Sequence, residues 1–230
     1  GDVYYAANEL GPQDKQVYVA HQNGKTERLT AREGYNSATF SAGYKYFINK
    51  WSDINTPVVY TLNNNSGKVL STLVDNKGLK EKLAAYDLGT RELFSFTTSE
   101  GVKLNGWMVK PAGFDASRRY PVIMYQYGGP GNQQVLNSWN IGMCGQGALL
   151  EQYMAQQGYI VVCVDGRGTG GRGAEFEKCT YLRLGELEAK DQVETALWLG
   201  SQPYVDKNRI GIWGWSYGGW NTLMSMSGGR

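Results

Sequence analysis

The opening of the chain alternates apolar and polar positions in short runs: Val3 to Ala6, Gln16 to Ala20, Glu27 to Thr30, Tyr44 to Asn49, Val58 to Leu62 and Val69 to Leu73. Period-two alternation sends successive side chains to opposite faces of a pleated strand, so the region up to about Asp75 reads as β throughout. Between two of these runs stand Asn23 and Gly24, both tolerant of positive φ, which predicts a type I′ hairpin turn. A short helix or turn is expected over Asn76 to Asp87. A hairpin of Glu92 to Thr97 and Val102 to Val109 follows, stopping at Pro111.

Beyond Pro121 the period changes. Apolar runs at Val122 to Tyr127, Ile160 to Val164 and Ile210 to Trp213 alternate with helical stretches near Gly147 to Gln157, between Glu175 and Gly200, and from Tyr217 onward. Strands separated by helices make βαβ units, and hence a mostly parallel, doubly wound sheet. The expected organisation is therefore a β domain over residues 1–85 followed by an α/β domain over residues 86–230. Sandwich, barrel and propeller all accommodate the first part, and no internal repeat selects among them.

Composition narrows the function classes. At 41% hydrophobic and 13% aromatic residues, the chain can bury a substantial core. A net charge of +2 without a dense Lys/Arg run excludes a nucleic-acid footprint. Three cysteines lacking C-x-x-C spacing and a single histidine leave no zinc site, so neither metal nor cofactor is expected. Cys163 lies within an apolar run and is expected to be a small buried hydrophobe, while a Cys144–Cys179 disulfide stays open. No run reaches the length of a membrane span and no signal peptide opens the chain, which says nothing about a parent protein because the sequence starts without Met.

The chemistry concentrates in Gly211 to Gly219, where an apolar strand runs into Gly214-Trp-Ser216-Tyr-Gly218 and then a helical stretch. This is the strand, G-x-S-x-G turn and helix of a nucleophile elbow. Glycines at 214 and 218 remove β-carbons that would clash where the chain reverses, leaving Ser216 strained, exposed and the candidate nucleophile. Tyr127-Gly-Gly-Pro-Gly131 follows another strand, in the position of a loop that donates to a developing oxyanion. The second donor would be the Tyr217 backbone N–H.

Gly166-Arg-Gly168-Thr-Gly-Gly171 formally satisfies the dinucleotide pattern G-x-G-x-x-G, with Glu186 and Glu188 downstream. It opens no immediate apolar helix, and Asp165 would set a negative charge beside a pyrophosphate. The segment is instead expected to be a structural loop in which Asp165 and Arg167 pair. The sole histidine, His21, sits beside the predicted hairpin turn and reads as an exposed strand-end residue rather than a general base. In α/β-hydrolases the acid and histidine follow the serine, but this chain ends at Arg230. A missing C-terminal segment of the same polypeptide is expected to carry them.

At Trp213 to Gly219 the sequence resembles the dipeptidyl peptidase IV branch of the prolyl oligopeptidase family of serine peptidases. Tyr120 to Gly131, Val164 to Gly170 and Leu184 to Gln192 support the resemblance, in the family's order and spacing. Trp215 and Tyr217 favour this branch over the oligopeptidase and acylaminoacyl-peptidase branches. The resemblance implies a β-propeller, of which residues 1–85 would be the closing blades, and an α/β-hydrolase domain truncated after the nucleophile elbow. It further implies an exopeptidase releasing N-terminal dipeptides with Pro or Ala second, a homodimer, and an extracytoplasmic location. On the matching positions, Ser216 would be the nucleophile, with the Tyr127 hydroxyl and the Tyr217 N–H forming the oxyanion hole. A tripeptidyl peptidase, an acylaminoacyl peptidase or esterase on the same fold, and an inactive propeller-plus-hydrolase module are the alternatives.

Overall fold

In a computed structural model, residues 1–143 and 148–228 are described, so Cys144 and the expected helix start at Gly147 lie outside the described residues. Two compact units emerge: Gly1–Tyr86 with Leu136–Asn140, and Asp87–Val135 with Ile141–Arg230.

The first unit is built of antiparallel sheets. Strands β1 (Val3–Ala7), β2 (Gln16–Ala20) and β3 (Thr26–Arg28) pair in that order. A second sheet holds β4 (Tyr35–Phe40), β5 (Tyr46–Asp53), β6 (Thr56–Asn64) and β7 (Val69–Val74), again in sequence order, and α1 (Lys77–Leu83) follows. Val17, Val19, Leu29 and Phe47 form the core. Strand β4 lay outside the predicted runs, and its packing gives the reason. Asn36 is buried on it, donating its amide to the carbonyls of Lys15 and Arg32 and to Gln16 Oε1, so a satisfied polar network stands where an apolar residue would have marked the strand.

The β2–β3 connection corrects the predicted turn. Only Gly24 takes positive φ (83°), and Gly24 N–H donates to the His21 carbonyl while His21 N–H donates to that of Lys25. This is a type I turn followed by a left-handed glycine bulge, not type I′. Asn23 keeps an ordinary backbone because its side chain is occupied in accepting the Lys25 N–H at 3.0 Å.

The second unit carries β8 (Thr90–Thr97), β9 (Lys103–Lys110), β10 (Tyr120–Gln126), α2 (Leu149–Gln156), β11 (Ile160–Asp165), α3 (Ala174–Lys178), α4 (Glu186–Gly200), β12 (Val205–Gly214) and α5 (Tyr217–Ser227). Its sheet has the order β12-β10-β11-β9-β8. Strands β12, β10 and β11 are parallel, whereas β9 and β8 run antiparallel to their neighbours. Beyond Pro121 the three strands are parallel, as the βαβ reading expects; the sheet as a whole is mixed because the expected β8–β9 hairpin, closed by the tight Thr98–Gly101 turn, joins it antiparallel to β11. Every residue of β11 is buried, as its β-branched run Ile160-Val-Val-Cys-Val164 requires of a central strand. Leu104, Met108, Val122, Met124, Ile160, Val162 and Leu199 make the core. Cys163 lies inside it at 1% exposure, and Cys179 is a free thiol at the surface.

Candidate active site

Register places the site. In the parallel β10–β12 ladder the last pair is Gln126 opposite Gly214, so the chain leaves both strands at the same level and enters Tyr127 on one side and Trp215-Ser216 on the other. The carboxyl ends of parallel strands are where open α/β sheets place their reactive groups.

Ser216 sits between β12 and α5 with φ 56° and ψ −119°, a combination that residues other than glycine rarely adopt. Holding it costs on the order of 1–3 kcal/mol, which the surrounding contacts must offset. Those contacts are visible at the flanking glycines. A β-carbon on Gly214 would fall 2.4 Å from the Gly218 carbonyl and 2.6 Å from that of Gln126; one on Gly218 would fall 2.2 Å from Gln126 O. Helix α5 therefore starts pressed against the end of β10, at a distance only two bare α-carbons allow. Ser216 and Trp215 are both exposed.

Tyr217 opens α5. As the first helical residue, its N–H precedes any intrahelical acceptor and is directed outward from the helix start. Its hydroxyl donates to Glu188 Oε1 at 2.9 Å, and Glu188 Oε2 accepts the Gly185 N–H at 2.9 Å. Burial, and next this carboxylate, push the Tyr217 phenol above its ordinary value of 10.0. Glu188 is 1% exposed, and Gly185 is needed because a β-carbon there would meet the Trp220 ring at 2.5 Å. Tyr127 is half-buried, with its ring 6.3 Å from that of Tyr217 between centroids.

The loop after Tyr127 is supported by the glycine segment that mimicked a dinucleotide motif. Gly131 N–H donates to Gly168 O, Gly170 N–H donates to Asn132 O, and a β-carbon on Gly170 would meet Gly131 O at 2.6 Å. The predicted Asp165–Arg167 pair does not form. Arg167 is held by Asp191 through its backbone N–H (2.7 Å), Nε and Nη2, with Glu100 also on Nη2. Asp165 instead accepts the N–H groups of Gln134 and Val135 (3.0 and 2.8 Å), tying down the same loop. The backbone turns between the two residues, so their side chains face different segments. Burial, partly opposed by those N–H donors, raises the Asp165 carboxyl to about 6.

His21 is engaged on the first unit's surface, with Nδ1 2.9 Å from Asp2 and Nε2 3.8 Å from Glu27. Among the described residues, no group of three or more His, Cys, Asp or Glu is placed to hold a metal ion. Beside Ser216, Tyr127 and Tyr217 the structure places Glu188, Gln126 and Asn221, which the sequence does not single out as site residues. Glu188 supplies the acceptor half of a capping box, its carboxylate reaching back to the Gly185 N–H at the start of α4.

Comparisons with known proteins bear on the family. The prolyl oligopeptidase family model matches residues 148–229, and that of the dipeptidyl peptidase IV N-terminal region matches residues 1–58. The "Probable dipeptidyl-aminopeptidase B" of Sclerotinia sclerotiorum is 36% identical over 97% of this chain and 24% of its own length; that of Botryotinia fuckeliana is 35% identical over the same shares. The chain thus spans about a quarter of the length of these curated relatives. The crystal structure of Porphyromonas gingivalis dipeptidyl peptidase 4 superposes with a TM-score of 0.91 at 46% identity, over 98% of this chain and 31% of that one. With the elbow inside the stretch matched by the prolyl oligopeptidase model and a dipeptidyl peptidase IV N-terminal match over residues 1–58, the chain is placed in the dipeptidyl peptidase IV-type branch of the prolyl oligopeptidase family.

Proposed function

We propose that this chain supplies the nucleophile and oxyanion hole of a serine exopeptidase that releases N-terminal dipeptides, with Pro or Ala preferred at the second position. The observation that carries the reading is the Ser216 backbone, a left-handed serine exposed between β12 and α5 and pinned by Gly214 and Gly218. Ser216 Oγ attacks the scissile carbonyl carbon as its proton passes to a base. The oxygen, now negative, is met by the Tyr217 N–H and the Tyr127 hydroxyl; the C–N bond then breaks, the amine takes the proton, and water releases the acyl group from Ser216. The base, on this reading, is the histidine that follows the serine and the acid in the chain order of α/β-hydrolases. On this reading the two antiparallel sheets of the first unit are propeller blades, and the full-length protein is an extracytoplasmic homodimer.

The test is hydrolysis of Gly-Pro and Ala-Pro p-nitroanilides by the full-length protein, beside tripeptidyl, N-acylaminoacyl and simple ester reporters. Turnover of the dipeptide amides that disappears in Ser216→Ala is expected. Preference for a tripeptidyl, acylaminoacyl or ester reporter would move the protein to one of those specificities. Activity that survives Ser216→Ala would refute the assignment of the nucleophile.

A further inference from the structure

The strand ladder that aligns the two halves of the site ends at Gln126 and Gly214, one residue short of Tyr127. Past that point the Tyr127 loop has Gly128 (φ 70°) and Gly129, so the backbone there is free to rotate unless something holds it. Two fully buried side chains do. Gln126, at 0% exposure, donates its Nε2 to Gly218 O and to Thr222 Oγ1 (both 3.1 Å), and accepts the Asn221 Nδ2 on its Oε1 at 2.6 Å. Asn221, also at 0%, abuts the loop directly: a β-carbon on Gly128 would sit 3.0 Å from its Nδ2.

The direction of these bonds is forced. Gly218 O can only accept, so Gln126 must present its nitrogen there; its oxygen then faces Asn221, which must present nitrogen in turn. The outcome leaves Asn221 Oδ1 buried without a donor among the described residues. Such a group costs stability, and two apolar side chains would fill the site without that cost. A polar pair that accepts a penalty to bridge β10 and α5 is expected to do something other than stabilise.

The geometry points to Gln126 and Asn221 as a positioning pair that fixes the Tyr127 loop against the first turn of α5, and thereby sets both oxyanion donors relative to Ser216. This rests on the roles given to Ser216, Tyr127 and Tyr217 under Proposed function. Neither side chain touches the reacting atoms; each acts through the backbone it holds. Thr222 Oγ1 also donates to Gly218 O at 2.8 Å, so removing Gln126 leaves that carbonyl satisfied and deprives Asn221 alone of an acceptor.

The experiment uses the full-length protein and the variants Gln126→Leu, Asn221→Leu, their double variant, and Asn221→Ala in case the larger side chain fails to fold. Hydrogen exchange by mass spectrometry follows peptides covering 127–131 and 217–222, with the β11 peptide as an internal reference, and hydrolysis of Gly-Pro p-nitroanilide gives kcat and KM. Exchange is expected to accelerate in both segments together and not in β11. Turnover should fall about 10- to 100-fold with KM within about threefold, since a displacement near 1 Å costs roughly that much. The double variant should be no worse than the poorer single one, because either substitution already breaks the bridge.

Faster exchange with unchanged kcat would overturn the proposal, leaving a merely structural role. So would acceleration in only one segment, or a double variant whose losses multiply. Wild-type protein in which a fluorophosphonate fails to label Ser216 would instead defeat the peptidase reading beneath it, and the proposal with it, whatever the exchange pattern.

Discussion

Gly218→Ala should destabilise the protein even though it replaces glycine by alanine inside a helix. Helix propensity alone favours alanine by about 0.5–1 kcal/mol. Against this, the new β-carbon would lie 2.2 Å from Gln126 O, 2.9 Å from Tyr127 Cα and 3.1 Å from Gln126 C. All three are backbone atoms at the end of β10, which cannot rotate out of the way as a side chain would. Relief requires α5 to retreat from the strand by close to 1 Å. Overpacking of this kind costs about 1–3 kcal/mol, and the rigidity of the opposing atoms argues for the upper part of that range. The expected net effect is a loss of about 1–2 kcal/mol, or roughly a 5- to 30-fold faster exchange of α5 amides in peptide-resolved hydrogen exchange. Gly200→Ala is the control within the same unit. It is also helical, but its β-carbon would meet only Lys207 Cβ at 3.4 Å and Ile210 Cδ1 at 3.7 Å, so propensity should win and the change should stabilise slightly. Since the retreat of α5 also separates Ser216 from the Tyr127 loop, dipeptide-amide turnover should fall on the order of 10²-fold in Gly218→Ala. Equal stabilisation by both substitutions would refute the reasoning, because it would mean that α5 does not approach β10 closely enough for an α-hydrogen to matter.

Three further outcomes are expected. Ser216→Gly should abolish amide hydrolysis yet raise the local opening free energy of α5 by about 1 kcal/mol, since glycine adopts φ 56° without strain; hydrogen exchange beside the activity assay reads both. Tyr217→Phe should lower stability by about 1–3 kcal/mol in urea unfolding, because Glu188 Oε1 stays buried without the hydroxyl that donates to it, while turnover stays within about tenfold if Tyr217 contributes only its N–H to the reaction. Asp165 gives a pH dependence of defined sign. Its folded carboxyl titrates at about 6 against an ordinary 3.8, so its contribution is full below pH 4 and is lost as pH rises through 6, about 3 kcal/mol over the two units. Asp165→Asn should remove that decline, seen as a flatter urea midpoint between pH 4 and 6 than in the wild type.

The hydrophobic and polar pattern located the parts of this chain that bury apolar side chains. Runs such as Ile160 to Val164 have no other satisfactory environment than the middle of a sheet, and β11 is found there, buried along its whole length. Glycine spacing located the elbow for a related reason: Gly214 and Gly218 are required by an atomic clash, and a clash leaves a trace in residue type. What stayed illegible was polar and distant. Strand β4 was hidden because Asn36 fills its core position, and nothing local distinguishes an asparagine with buried partners from one in a surface turn. Asp165 and Arg167 looked like a pair because they are neighbours in sequence, whereas their true partners lie at Gln134 and Val135 and at Asp191.

By itself, then, the sequence determined where the apolar strands lie, that one serine stands at a glycine-flanked reversal, and that the residues around it resemble a peptidase family. Those features follow from local sterics and from the period of apolar burial, both of which act within a few residues. Only the tertiary structure decided that Gln126 stands opposite Gly214, so that Tyr127 and Ser216 emerge side by side, and that Gln126 and Asn221 bridge the gap beyond them. Sheet order and register are settled by contacts across about 90 residues of chain, and a hydrogen bond formed at that separation leaves no periodicity in either segment to read.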